Sequence, residues 1–191
     1  LILAVLLILL SYCASQRRPS GGPVDKEPPE IIGVYPAPNS TNVERDAEII
    51  FEFSERIDKN SMTDAIFVSP RQEQDLEYHW KGEKLILEFP DSLKADRTYV
   101  VTIGTNTMDL RRNRLARSFH LAFSTGEKLD QGRISGSVHA DSPVEGALVG
   151  MYAFAGDHEP DPKKQFPEYI TQVNENGEYQ FSYIAAGKYR L

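Results

Sequence analysis

Four histidines, at 79, 120, 139 and 158, are spread along a chain of 191 residues that holds one cysteine, Cys13. A zinc site read from local sequence needs ligands at short fixed spacing, such as His-Glu-x-x-His or paired Cys and His. No such spacing occurs here, so no metal set is read from the sequence, and His79 and His120 fall beside apolar neighbours in strand-like segments. "GRISG" is not Gly-x-Ser-x-Gly and lies in strand-like sequence, not on a strand-to-helix elbow. Glycine-rich phosphate loops are absent, and Asn174-Glu175-Asn176-Gly177 lacks the repeated carboxylates and closing Glu of a calcium loop. No enzyme and no cofactor are expected within these residues.

Two groups remain that could bind without reacting. "LRRNRLAR" carries Arg111, Arg112, Arg114 and Arg117 in an otherwise acidic chain of net charge −7. It reads as a solvated loop, with an anionic envelope component as the binding alternative. Tyr78 and Trp80 share one face of a strand beside a tight turn, either filling a core or offering flat rings to a sugar. The acidic balance and the export signal described next argue against nucleic acid, which demands phosphate contacts.

The elements that must position these residues begin with "LILAVLLILLSYCASQRRPSGGP". Leu1 to Leu10 are too few to span a bilayer, which takes roughly 20 apolar residues, but they suit the apolar region of a signal peptide. Leu10-Ser11-Tyr12-Cys13 resembles the lipobox of bacterial lipoproteins, with Tyr12 where a small residue is usual. That resemblance implies cleavage before Cys13 and acylation of its thiol. It also implies membrane attachment through the N-terminal lipid and, without Asp after Ala14, an outer-membrane address in a Gram-negative envelope. Residues 14–29 are polar and rich in Pro and Gly, as a flexible tether is. The chain has no initiator Met and stops inside strand-like sequence, so it reads as a fragment.

Beyond the tether the fold class is all-β. Ile49, Phe51 and Phe53 alternate with Glu48, Ile50 and Glu52; Leu85, Leu87 and Phe89 with Ile86 and Glu88; Tyr99, Val101 and Ile103 with Val100 and Thr102; and Phe119, Leu121 and Phe123 with His120 and Ala122. This period of two predicts strands with one face in a core and one in water. Turn signals separate them at Pro36-Ala37-Pro38-Asn39, Lys81-Gly82-Glu83 and Pro90-Asp91-Ser92. "IDKNSMTDAI" is the one helical candidate, short and polar. About seven strands in roughly 100 residues predict a β-sandwich.

"VYPAPNSTNVERDAEIIFEFSERID", "LKADRTYVVTI", "MDLRRNRL" and "FHLAFSTG" together resemble the bacterial Ig-like domain recognised in S-layer proteins, with its motifs in order. "GRISGSVHADSPVEGALVGMYAF" and "ITQVNENGEYQFSYIAAGKYRL" resemble the carboxypeptidase-regulatory-like, or transthyretin-like, sandwich. In the second, Gly177 is placed in a hairpin turn and "AGDHEPDPKKQFPEY" in a surface loop.

The organisation expected is a truncated lipoprotein signal peptide over 1–12 and a lipidated linker over 13–29. An Ig-like sandwich over 30–126 follows, then an incomplete transthyretin-like one over 130–191. These resemblances imply a non-catalytic envelope protein acting as spacer or adhesion module, its partner an envelope protein or a glycan. The alternative is an accessory region of a larger envelope enzyme or glycan-uptake protein.

Overall fold

A computed structural model describes residues 24–191, apart from 73, 143 and 145. The expected signal segment and Cys13 lie outside the described residues.

Seven strands lead among the described residues: β1 (Ile31–Tyr35), β2 (Ile49–Phe53), β3 (Ile66–Ser69), β4 (Glu77–Lys81), β5 (Lys84–Glu88), β6 (Thr98–Ile103) and β7 (Phe119–Ser124). They form two antiparallel sheets, β1-β2-β5-β4 and β3-β6-β7. The alternating apolar residues close the space between them. Ile49, Phe51, Phe53, Leu85, Leu87, Tyr99, Val101, Ile103, Leu121 and Phe123 are all buried in one cluster, with Phe89 and Phe119 at its margin. Tyr99 stacks on Phe123 at 5.7 Å and Phe119 meets Phe51 edge-on at 6.2 Å, favoured arrangements for aromatic quadrupoles. The helical candidate is one 3-10 turn, Lys59–Met62, whose N-cap Asp58 accepts a hydrogen bond from the Asn60 amide.

The expectation of one face in water holds for the first sheet except at Ile86, 5% exposed, and fails for most of the second, where His120 alone of the outward β7 residues stays exposed. Thr98, Thr102, Ala122 and Ser124, on the outward positions of β6 and β7, are 5% exposed or less. Part of their cover is the turn after β1: Asn39 donates from its amide to the Ala122 carbonyl, and Ser124 donates to the Ser40 carbonyl. The rest comes from the following strands. Small residues at these outward positions let another layer come close.

That layer comprises β8 (Gly132–Ser137), β9 (Leu148–Ala153), β10 (Tyr169–Gln172), β11 (Glu178–Ile184) and β12 (Tyr189–Arg190), paired as β10-β9-β12 and β11-β8. Its core is small: Met151, Tyr169, Phe181 and Ile184 are buried, edged by Ile134, Val149, Tyr179 and Tyr189. Tyr179 lies across Gly136, its register partner, and a side chain there would meet the ring. Among the described residues there is no α-helix, and no helix is long and apolar enough to cross a membrane.

Gly177 closes the turn between β10 and β11 with φ 77°, and its amide donates to the Asn174 carbonyl. A Cβ there would stand 2.8 Å from the Val138 carbonyl oxygen. Gly177→Ala should therefore destabilise the protein by about 1–2 kcal/mol, seen as a lower urea midpoint at unchanged slope. An unchanged midpoint would mean the turn relaxes without cost.

Candidate functional site: the junction and its cleft

The segment from Phe166 through β10 carries most of the groups that join the two sets of strands. The Glu168 carbonyl accepts from the Arg71 amide at 3.0 Å, and the Ile170 amide donates to Ser69 Oγ at 3.2 Å. The Glu168 carboxylate pairs with the Arg97 guanidinium, and the Arg71 guanidinium lies 3.6 Å from the Phe166 ring centre. Gln172 reaches farthest. Its Oε1 accepts from the Thr105 amide, the Thr105 hydroxyl and the Ser118 hydroxyl, while its Nε2 donates to the Gly146 carbonyl. A Cβ on Gly104 would lie 3.2 Å from that Oε1, so the missing side chain leaves Gln172 its place.

Two further bonds cross elsewhere. The Asp130 amide donates to Thr98 Oγ1 at 2.7 Å. Tyr183 occupies the bulge that interrupts β11–β8 pairing between Ser182 and Ile184, with φ 59°, and its hydroxyl donates to Asn39 Oδ1 at 2.7 Å. A bulge re-aims the side chain it carries. Here it sends a tyrosine across the junction.

Beside these contacts lies a cleft of about 800 Å³, walled by Ser118 and His120 on one side and by Ser135, Gln172, Tyr179 and Gln180 on the other. Its hydroxyls and amides suit hydrogen bonding to a polar ligand. His120 is exposed at the cleft wall, its Nδ1 2.9 Å from Thr102 Oγ1, and desolvation by the surrounding walls holds the imidazole below its ordinary pKa. Thr102 is 3% exposed, so its hydroxyl is closed to an incoming substrate.

The basic run is divided by its turn. Asp109 is fully buried, and its Oδ1 accepts from the amides of Arg111 and Asn113 at 2.7 and 2.8 Å, its Oδ2 from Asn113 Nδ2 at 2.7 Å. Burial acts to raise the Asp109 pKa, but these bonds and one from Glu55 outweigh it and hold the carboxyl below its usual range. Burial and the charges of Asp109 and Asp25 push Glu55 the other way. Arg111, Arg112, Arg114 and Arg117 are all exposed; Arg112 takes φ 71° in the turn, Arg114 bonds Asn106, and Arg117 lines the cleft.

Tyr78 and Trp80 pair with Leu87 and Leu85, on the core side of edge strand β4. Trp80 stacks on Phe53 at 6.1 Å with the Lys59 ammonium 5.7 Å from its ring centre, which uses the indole in packing. Tyr78 remains 45% exposed. Sequence reasoning missed the junction residues. Phe166 and Glu168 lie within the expected surface loop, whose last residue, Tyr169, is instead buried at the start of β10, and Gln172 reads as an ordinary polar strand residue. The recoverable signal was small outward residues on β6 and β7.

A family model for the bacterial Ig-like domain matches residues 25–125, just over half of the chain. The chain belongs to that family. No curated protein matches it. Among solved structures it is similar to an L,D-transpeptidase from Mycobacterium smegmatis, at 13% identity and TM-score 0.41, over 76% of this chain and 74% of that one. It is also similar to the N-terminal part of the bacterial S-layer protein SbsC (12% identity, TM-score 0.36), over 85% of this chain and 37% of that chain. A third is E. coli alpha-2-macroglobulin, at 13% identity and TM-score 0.39, over 86% and 12%. Likenesses at these scores carry no argument about function.

The His120 environment has a pH consequence for this Ig-like protein. The unfolded chain takes up a proton near the ordinary value of 6.5, whereas the folded one resists it until lower pH. Stability is therefore lost as pH falls through that window. Between about pH 7.5 and 5.5, the wild-type melting temperature should fall more steeply than that of His120→Gln. Parallel slopes would contradict desolvation of the imidazole at the cleft wall.

Proposed function

We propose that this Ig-like protein is a non-catalytic, lipid-anchored component of a Gram-negative cell envelope. Its strands form a rigid spacer that carries a binding surface away from the membrane at the end of the flexible tether. The observation that carries this reading is the junction. Backbone bonds, an ion pair, the Gln172 cluster and the Tyr183 bridge link β8–β12 to β1–β7 at separate points. A spacer needs that stiffness; a pair of domains on a string does not.

Anchoring is supported by Leu1–Leu10 ahead of Leu10-Ser11-Tyr12-Cys13 and by the Pro/Gly-rich stretch behind it. A single acyl chain holds weakly at about 0.8 kcal/mol per buried CH₂, so firm attachment calls for more than one chain on Cys13. The transthyretin-like reading of 130–191 rests on its motifs, with Gly177 in the left-handed turn they require.

A second reading, recognition of a glycan or other polar envelope partner, is favoured by the hydroxyl- and amide-lined cleft with Tyr179 and Arg117 at its walls. It competes with the spacer reading only if the cleft is the protein's main task. Arg111, Arg112 and Arg114 stay available to anionic envelope material.

Mass spectrometry of the native protein purified from membranes tests the anchor. The expected mature N-terminus is Cys13 carrying acyl mass. A lipid-free N-terminus at another residue would overturn the anchored spacer and leave a secreted binding module.

A further inference from the structure

A mixed imidazole–carboxylate cluster stands on the outer face of β1-β2-β5-β4, the sheet that the junction does not cover. Glu77 and His79 alternate on β4 and so share a face; Glu88 lies opposite Glu77 on β5, and His79 opposite Ile86. The His79 Nε2 atom is 3.6 Å from a Glu77 carboxylate oxygen and 3.6 Å from one of Glu88. All three donor atoms lie within 4.8 Å of one another.

Two features point to a cation between them. Like charges directly opposite on paired strands repel, yet Glu77 and Glu88 turn their carboxylates toward one imidazole, so positive charge, from a proton on the ring or a bound cation, is needed between them. The 3.6 Å separations are longer than a hydrogen bond but close to the roughly 3.3–3.4 Å between ligands of a tetrahedral zinc ion with bonds near 2.0–2.1 Å. Two carboxylates and a neutral imidazole also balance a divalent charge. Neighbouring Lys84 is engaged elsewhere, 3.2 Å from Glu52.

The other acidic group, Asp25, Glu55 and Asp109, differs. There the buried carboxylate is already satisfied by amides and the Asn113 side chain, and no imidazole is present.

We propose that Glu77, His79 and Glu88 form a binding site for one divalent cation of the zinc class, with three protein ligands and a fourth position open to solvent. A nitrogen donor beside two carboxylates selects borderline cations over magnesium, which prefers all-oxygen surroundings. With two ligands on β4 and one on β5, the ion clips the edge strand to the one strand it pairs with among the described residues. The sequence hides this set because Glu-x-His supplies two ligands and the third arrives through strand register.

Calorimetric titration of the full chain, with Cys13→Ser to remove the thiol, tests the site using zinc chloride and, separately, magnesium chloride. Expected are one equivalent of zinc bound, no magnesium binding, and a zinc-dependent rise in melting temperature. His79→Ala, and independently the pair Glu77→Gln with Glu88→Gln, should each weaken zinc about tenfold or more; His139→Ala should not. Absence of saturable zinc binding would overturn the proposal. So would zinc binding that survives both sets of substitutions, because the ion would then sit elsewhere.

Discussion

Strands β8–β12 bury only four residues well in a core of their own, and a unit of about 60 residues folds at the margin of what burial can support. That shortage is the constraint on the rest of the molecule. It is relieved by the outward face of β3-β6-β7, where Thr98, Thr102 and Ala122 are small enough for a second layer to approach. Apolar burial alone would leave the two layers free to slide. The Gln172 amide, the Glu168–Arg97 pair and the Tyr183 hydroxyl fix the register.

Magnitudes separate these roles. Arg97 and Glu168 are each about a third exposed, so their attraction is screened and worth on the order of 1 kcal/mol or less. Gln172 makes three bonds across the junction, to Thr105 and Ser118, and one to Gly146 on its own side, each contributing roughly 0.5–1.5 kcal/mol net. The Arg71–Phe166 contact adds about 0.5–1 kcal/mol. No single contact dominates, but each is directional, and together they specify one arrangement among many that would bury similar area. Asp109 acts likewise within the first sandwich, trading the cost of a buried carboxylate for amides that shape the arginine turn.

Legibility in the sequence follows the same division. Ile49-x-Phe51-x-Phe53 and its counterparts revealed the first core because each residue's facing depends on chain-local alternation. Gly177 was legible for a similar reason: its turn is made by neighbours. Gln172, Glu168 and Phe166 were not, since the side-chain partners of Gln172 and Glu168 across the junction lie 54–71 residues away and nothing local marks a glutamine that bridges two layers. Trp80 was legible only as a choice between core and platform; Phe53, from another strand, engages one face of the indole. The burial of Thr98, Thr102, Ala122 and Ser124 on the outward face of β6 and β7 escaped because alternation reports a contrast in polarity, and threonine reads as polar whether covered or wet.

The central claim is that the two layers move as one body. Backbone ¹⁵N relaxation across both layers tests it most directly. The account predicts a single rotational correlation time shared by amides in β1–β7 and β8–β12, and its separation into two on Gln172→Ala combined with Arg97→Ala. Two distinct correlation times in the unmodified protein would contradict it, leaving a flexible pair of sandwiches where a spacer is proposed.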